Sequence, residues 1–498
     1  MTTEAPIETL PRPLRNLTLK ETAVGIAIAA GIFQQAAGGF GFSMLPLVSI
    51  HCVALLMLGW QPTARRAFYT GIITGLCVFL PATAFFWKIF PGTAAVLWLL
   101  LALWHGLFLV LIRKLFIRFG IGWALLAAPI LWTGLEYCRC ELWPLRLTWL
   151  ALGALPGGTP GIDRYWTGVY GSGFISMAIA AGGLALTILS SNRWLKVLAW
   201  SPLLLALVPL IQPNHPTSES GRARSVKIAG LQMEFPAQPA VLEELNNTLK
   251  EHTDAQLFIL SEYTFTGGIP ESVRNWCKQH GRWIIAGSRD WQDSSGHLAT
   301  GARQSALALN WRGNFNSQQD FRNTAYVVDT NGVVVFAQSK TQPIQFMQDG
   351  LPAATQQVWN SPWGRIGIAI CYDASYCGVV DRLVEQGAEA LVFPAMDVLE
   401  WGETEHRWNA FQANLRSSEY HLPVVRVASS GISQYLPVSG QPTVTTAIGE
   451  GSHLYCELQI PPAAPGHIPW DRYAAPWCSL VAGVVLFLPA KRPTPLVA

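Results

Sequence analysis

The segment Gly364-Arg365-Ile366-Gly367-Ile368-Ala369-Ile370-Cys371-Tyr372-Asp373 is an apolar run of strand type that stops abruptly at a cysteine with polar neighbours. A thiol at the mouth of a buried strand is held by the sheet while its sulfur faces a cleft, which is where a nucleophile has to sit. Two other stretches repeat the pattern. Gln256-Leu257-Phe258-Ile259-Leu260 runs into Ser261-Glu262, and Val333-Val334-Val335-Phe336-Ala337 runs into Gln338-Ser339-Lys340. In chain order the strand ends carry a carboxylate, an amine and a thiol, which makes Glu262, Lys340 and Cys371 a candidate catalytic set. The surrounding sequence predicts strands at 226–231, 256–260, 283–287, 306–309, 325–329, 333–337, 390–393 and 424–428, with an Asn331-Gly332 hairpin turn. Helices are predicted at about 238–252, 376–387 and 405–420. Strands alternate with helices and hairpins are included, so this part of the chain is α/β with a mixed sheet.

The rest of the chain is different. Of 498 residues, 50% are hydrophobic and only 13% charged, and a soluble protein of this size carries about twice that charged fraction. Acids are sparse between residues 21 and 212, whereas 220–475 has an ordinary globular composition. The expectation is a membrane protein with one soluble domain. Apolar spans of bilayer type fall at about 22–38, 40–60, 67–90, 94–113, 121–141, 168–190 and 195–212, with an eighth at about 477–490. With the N-terminus inside, alternation puts Arg65 and Arg66, then Arg113, Lys114 and Arg118, then Arg193 and Lys196, then Lys491 and Arg492 on the same inner side. The expected organisation is a cytoplasmic segment at 1–20, a transmembrane bundle of about seven spans at 21–212, a polar linker at 213–222, an outer domain at 223–466, and a last transmembrane helix with a cytoplasmic tail at 467–498. The segment 142–167, rich in Gly, Pro and Trp, is expected to be re-entrant or interfacial. The net charge of +3 is too small to suggest nucleic acid. The nine cysteines show no metal spacing: Cys138-Arg139-Cys140 is too tight for a zinc pair, and no histidine cluster flanks Cys371 and Cys377. Neither a metal nor a dissociable cofactor is implied.

A cysteine attacks a carbonyl only as a thiolate, so it needs a base or a cation nearby. Glu262 can take the thiol proton, and Lys340 can lower the thiol pKa and hold the oxyanion of a tetrahedral intermediate. Taken singly, each has an ordinary reading: Cys371 as a small core residue, Lys340 as a solvated loop lysine, Glu262 as a helix cap. Their conjunction on strand ends of one domain favours acyl transfer through a thioester.

The order Glu, Lys, Cys resembles the nitrilase superfamily, whose triad sits on an αββα sandwich. More closely, the chain resembles the apolipoprotein N-acyltransferases, which have several N-terminal spans, an outer nitrilase-like domain and a final span. The local matches are Leu135-Glu136-Tyr137-Cys138-Arg139, Trp149-Leu150-Ala151-Leu152-Gly153, Asn323-Thr324-Ala325, Lys340 followed by Phe346, and Ile370-Cys371-Tyr372-Asp373. Arg416-Ser417-Ser418-Glu419, Arg426-Val427-Ala428-Ser429-Ser430-Gly431 and Asp471-Arg472-Tyr473 complete them. The resemblance implies a multi-pass helical membrane bundle plus an α/β nitrilase-like αββα sandwich. It implies a bacterial inner-membrane enzyme with its catalytic domain on the periplasmic face, a monomer that contacts bilayer but no nucleic acid. It further implies a phospholipid acyl donor, a thioester on Cys371, and as acceptor the α-amine of the diacylglyceryl-cysteine of an apolipoprotein. The chain departs from the family at Met347-Gln348, where a Gly-Glu pair usually closes the loop after the lysine; Asp349 follows. That glutamate is thought to assist the site, so the departure implies either that Gln348 or Asp349 does less there or that the loop works differently. The family's Cys-Tyr-Glu is here Cys371-Tyr372-Asp373, and its Asn-Asp is Met396-Asp397.

Other candidates are Tyr372, Gln348, Trp401, Arg416 and Glu419, as substrate-binding or supporting residues. Arg416 and Glu419 have helical spacing for a mutual pair, and a structural role is favoured over a chemical one. Trp401 is a cleft gate or an exposed interfacial anchor. Tyr372 orients substrate or simply packs, and His406 reads as a solvated histidine. Glu136 and Arg139 read as a structural pair with possible headgroup contact. Two rival functions are a membrane-anchored amidohydrolase using water as acceptor, and a transporter or scaffold with a dead nitrilase domain. Against transport, few acids occur in the spans and no pair of Gly/Pro-broken segments is evident. Against a dead domain, all three triad residues are present.

Overall fold

The computed structural model describes residues 20–37, 45–155, 163–192, 194–195, 224–291, 321–438, 440–462 and 466–489. The expected span at 195–212, the linker at 213–222 and the strand at 306–309 lie almost wholly or wholly outside these residues. The chain divides into two units, residues 1–213 with 469–498, and residues 214–468.

The first unit is helical: α1 (Lys20–Ala37), α2 (Leu45–Leu58), α3 (Ala64–Ala82), the short α4 (Phe86–Ile89), α5 (Thr93–Phe119), α6 (Ile121–Tyr137), α7 (Arg164–Leu189) and α12 (Asp471–Phe487). Apolar composition without polar faces makes these elements helices, since only intra-segment hydrogen bonding satisfies the backbone in lipid. Among the described residues, three helical stretches, Thr93–Phe119, Ile121–Leu142 (α6 with the turn that follows it) and Arg164–Leu189, are long and apolar enough to cross a membrane. Small residues set the tightest packing. A Cβ at Gly71 or Gly75 of α3 would come within 2.6 Å of Gly106 or Ala102 Cα on α5, the close approach that small-xxx-small pairs permit.

Helix α7 is broken at Gly168 (φ 69°). The Tyr170 and Gly171 N–H groups that the break frees donate to Asp471 Oδ2 at 2.8 and 3.3 Å. The first residue of the last helix therefore caps the second half of α7. Of the expected re-entrant segment 142–167, residues 142–155 and 163–167 are described. Its loop is held by Glu136 Oε1, which accepts from Leu152 N–H (2.8 Å), by Arg139 donating to the carbonyls of Leu147 and Trp149, and by Gln34 donating to Leu150 O. Glu136 and Arg139 are buried 3.9 Å apart.

The second unit begins with β1 (Arg224–Leu231), followed by α8 (Gln238–Glu251), β2 (Leu257–Leu260), β3 (Phe265–Thr266), α9 (Glu271–His280), β4 (Trp283–Trp291), β5 (Phe321–Val328) and β6 (Val334–Ser339). Its second half holds β7 (Val358–Ser361), β8 (Gly364–Ile368), α10 (Cys377–Glu385), β9 (Ala390–Ala395), α11 (Glu403–Tyr420), β10 (Val424–Ala428), β11 (Gln434–Leu436), β12 (Val444–Thr445) and β13 (His453–Ile460). Among the described residues, one sheet has the order β13-β1-β2-β4-β5-β6, with β3 beside β4, and the other the order β12-β11-β10-β9-β8-β7. Strands β1, β2 and β4 run parallel, as do β8, β9 and β10; the sheet edges are antiparallel.

Strand side chains alternate between faces, and here both faces are buried. Val226, Ile228, Leu257, Ile259 and Ile285 meet Ile366, Ile368, Val392, Val425 and Val427 between the two sheets. Ala229, Leu231, Phe258, Leu260 and Ile284 face outward onto Val241 and Leu245 of α8 and Val273, Trp276 and Cys277 of α9. Helices α10 and α11 pack on the second sheet. The layers are helix, sheet, sheet, helix: the expected αββα sandwich.

Candidate active site

The site lies where the parallel strands end, the usual functional edge of such sheets. The chain leaves β2 through Ser261-Glu262-Tyr263, and Tyr263 is in the left-handed region (φ 59°). Lys340 directly follows β6, its N–H donating to Asn323 O at 2.7 Å. Beyond β8, Cys371 has φ 48° and opens a 3-10 turn, Cys371–Ser375. A non-glycine residue in that conformation costs about 1–3 kcal/mol, so two such residues at adjoining strand ends mark a place where geometry is held against local preference. Asp373 holds the turn: its carboxylate accepts from Ile370 N–H (3.1 Å), Thr341 N–H (3.0 Å) and Gln342 N–H (2.7 Å). The loop after Lys340 is thereby tied to the turn that presents the thiol. Burial pushes the Asp373 carboxyl up to about 6, against Lys340 and those backbone donors, which lower it.

Glu262, Lys340 and Cys371 are all buried. Lys340 Nζ donates to Glu262 Oε1 at 2.8 Å and lies 2.7 Å from Asp349 Oδ2. Asn323 Nδ2 donates to both acids, at 2.5 Å to Glu262 Oε1 and 3.2 Å to Asp349 Oδ1. Tyr263 Oη donates to Asp349 Oδ1 (2.7 Å), and Ile344 N–H to Asp349 Oδ2 (2.7 Å). Met396, just past β9, joins base and thiol: its N–H donates to Glu262 Oε2 (2.8 Å) and its carbonyl accepts from Cys371 Sγ (3.6 Å).

The electrostatics follow from burial. Desolvation raises the Cys371 thiol well above its usual pKa; the Glu262 charge adds to this, and Lys340 opposes it. Desolvation also raises Glu262, with Lys340 opposing and Asp349 reinforcing the shift. Burial alone would lower Lys340, but Asp349 and Glu262 outweigh it and hold the amine well above its usual pKa. At rest the site is a neutral thiol beside an ammonium shared by two carboxylates, one of them unusually basic. Such a set can move a proton from sulfur to carboxylate and stabilise an oxyanion with the ammonium. Among the described residues, no three His, Cys, Asp or Glu side chains converge as metal ligands would.

Two family models match this sequence. Residues 29–182 match an apolipoprotein N-acyltransferase N-terminal domain, and residues 222–450 match carbon-nitrogen hydrolase. In both parts the chain is similar to the apolipoprotein N-acyltransferases of the nitrilase superfamily. An apolipoprotein N-acyltransferase from Thermosynechococcus vestitus is 22% identical over 478 residues, covering 84% of this chain and 86% of that protein. Solved structures similar to this chain include Saccharomyces cerevisiae Nit3, a member of branch 10 of the nitrilase superfamily (14% identity, TM-score 0.37, 47% of this chain, 90% of that chain). A carbon-nitrogen hydrolase from Helicobacter pylori G27 is similar as well (15%, TM-score 0.36, 47% and 89%), as is an amidase from Nesterenkonia sp. (15%, TM-score 0.36, 48% and 92%).

In this chain, Asp349 rather than Gln348 reaches the lysine. Gln348 is exposed on the loop, whereas Asp349 is buried against Lys340. Tyr372 is buried, edge-on to Tyr376. Arg416 and Glu419 are buried and pair at 3.0 Å, and Arg416 Nη1 also donates to Cys377 Sγ (3.0 Å). Two expectations are corrected. Trp401 is 2% exposed and so is no interfacial anchor. His406 is fully buried; its Nε2 donates to Val398 O at 3.0 Å. Helix α11 carries polar residues all round and buries His406, Asn409, Gln412, Arg416 and Glu419 beside Trp408, Ala413 and Leu415, so composition misstates its exposure. Of the two residues offered for the loop carboxylate, Asp349 is the one at the lysine; sequence reasoning gave no site role to Asn323 beside it, or to Asp397, Asn409 and Arg426 below the thiol. Asn409 gives no sequence signal at all.

Proposed function

We propose that this chain is a bacterial inner-membrane N-acyltransferase. It moves an acyl chain from phospholipid, through a thioester on Cys371, to the α-amine of the diacylglyceryl-cysteine of an apolipoprotein. The observation that carries this reading is the buried ion cluster of Glu262, Lys340 and Asp349, joined to Cys371 through Met396. In the first half-reaction Glu262 takes the Sγ proton as sulfur attacks the ester carbonyl. Lys340 holds the oxyanion, and the protonated Glu262 then gives its proton to the departing lysophospholipid oxygen. In the second half-reaction Glu262 removes a proton from the incoming amine, which attacks the thioester, and thiol is regenerated. One site serves both lipid substrates in turn. The similarity to an apolipoprotein N-acyltransferase, and apolar helices of bilayer length, support lipid substrates. The basic residues of the short loops support an arrangement in which 1–20 and the tail are cytoplasmic and 223–466 faces the periplasm.

The test is intact mass spectrometry of protein purified from its own membranes, with and without neutral hydroxylamine, alongside Cys371→Ala and Glu262→Gln. The expected result is a hydroxylamine-labile adduct of fatty-acyl mass on Cys371, absent from Cys371→Ala. If no adduct forms even with phospholipid added, the acyltransferase reading is lost.

A further inference from the structure

Below Cys371 lies a polar group that the proposed reaction does not use. Asn409, buried on α11, places Nδ2 2.7 Å from Asp397 Oδ1 and 3.7 Å from Cys371 Sγ. An amide NH2 has two hydrogens; the contacts to Asp397 and Cys371 take one each, and the Glu405 carboxylate, four residues earlier on α11, faces the same amide. The orientation of the amide is fixed from beneath. Asp397 follows β9 and is fully buried; Arg426 Nη2 on β10 donates to its Oδ1 and Oδ2, both at 2.8 Å. Ser429 Oγ and Ser430 Oγ donate to the Asp397 carbonyl, and Asp397 N–H donates to Ser429 Oγ. With Asp397 held this way, rotating the Asn409 amide would turn its carbonyl oxygen towards a carboxylate, so the N–H side stays on the sulfur.

We infer that Asn409 is a further catalytic residue, the hydrogen-bond donor that receives the Cys371 thiolate when its proton leaves. This rests on the reading of Cys371 as the nucleophile. In the resting thiol, Sγ–H donates to Met396 O and Sγ accepts from Asn409. Transfer of that proton to Glu262 ends the first bond and strengthens the second, because a donor favours the charged form of its acceptor. The charged groups acting on Cys371 are Glu262 from the end of β2, Asp397 after β9, Lys340 after β6 and Arg426 on β10; Glu405 on α11 acts on Asp397 and Arg426 in turn. The acids disfavour thiolate and the cations favour it. Asn409 adds a donor in contact with the sulfur without adding charge.

The experiment is the pH dependence of Cys371 alkylation by iodoacetamide in the full-length protein in detergent, read on the Cys371 peptide by mass spectrometry. The parent is compared with Asn409→Ala and Asn409→Thr. Threonine keeps one donor, which the Asp397 carboxylate takes, so this variant remains informative if alanine does not fold. The alkylation midpoint is expected to move up by about one pH unit, slowing the reaction about tenfold below the midpoint. Glu262→Gln serves as the positive control for a slowed thiol. If the parent titrates and both folded Asn409 variants keep its midpoint, the inference is overturned while the nucleophile stands. If Cys371→Ala still transfers acyl chains, the proposed function falls and the inference with it.

Discussion

Asp349 lies one position past the residue that sequence comparison puts opposite the family's loop glutamate, yet it is the carboxylate that shares Lys340. Substituting Asp349→Asn would set an NH2 against the ammonium or against the donors Tyr263 and Ile344. It would also remove a negative charge that raises Glu262. Glu262 then becomes a weaker base, and the acid limb of the rate–pH profile moves to lower pH. The rate should fall about 100-fold, as when an active-site electrostatic partner is lost; Gln348→Ala should stay within about threefold. Acyl transfer from phospholipid to a lipopeptide measures both, and equal effects would refute the assignment. The physical reason for what is legible here is plain. Glu262, Lys340 and Cys371 show themselves because each ends an apolar strand, so a local pattern fixes where the side chain emerges. The choice between Gln348 and Asp349 stays open and Asn409 stays hidden, because a loop closure and a helix rotation, both tertiary, decide where they point.

At the level of elements, strand β4 determines how near the neighbouring strand end can lie. A Cβ at Gly287 would stand 2.7 Å from Glu262 Cα and 2.8 Å from Tyr263 N, both backbone atoms. Gly287→Ala must therefore displace the residue that carries the base. A shift of this kind far from the reacting atoms costs up to about 100-fold, and the expected loss in acyl transfer is tenfold or more with the fold retained. Gly378→Ala on α10, where no atom lies within 4 Å, is the matched control and should leave the rate unchanged. A wild-type rate for Gly287→Ala would show that the strand end can relax. The buried parallel strands are evident in the sequence because both their faces are apolar. Strand β13 is legible by a different sign, since His453–Ile460 alternates polar and apolar residues as a half-buried edge strand does, and a reading built on wholly apolar runs passes over it; its pairing with β1 joins the domain's last strand to its first. Helix α11 is legible as a helix but not in its burial.

Across the whole molecule, the first unit is built from both ends of the chain, and Asp471 is where the ends meet. Asp471→Ala leaves the Tyr170 and Gly171 N–H groups without that acceptor in an apolar setting, a cost of about 1–3 kcal/mol for each group. The full-length protein should unfold at lower temperature in detergent, while Cys371 keeps the alkylation rate of the parent below the transition; an unchanged melting temperature would show that another group caps the break. The same contact has a bearing on biosynthesis. Asp471 and Tyr170 are 301 residues apart in the chain, and a ribosome adding about 5–20 residues per second needs on the order of 15–60 s to cover that distance. During that interval α7 exists without its cap while the entire catalytic domain is being made. The bundle therefore matures in two stages, and translation of its final helix sets the moment at which it is complete.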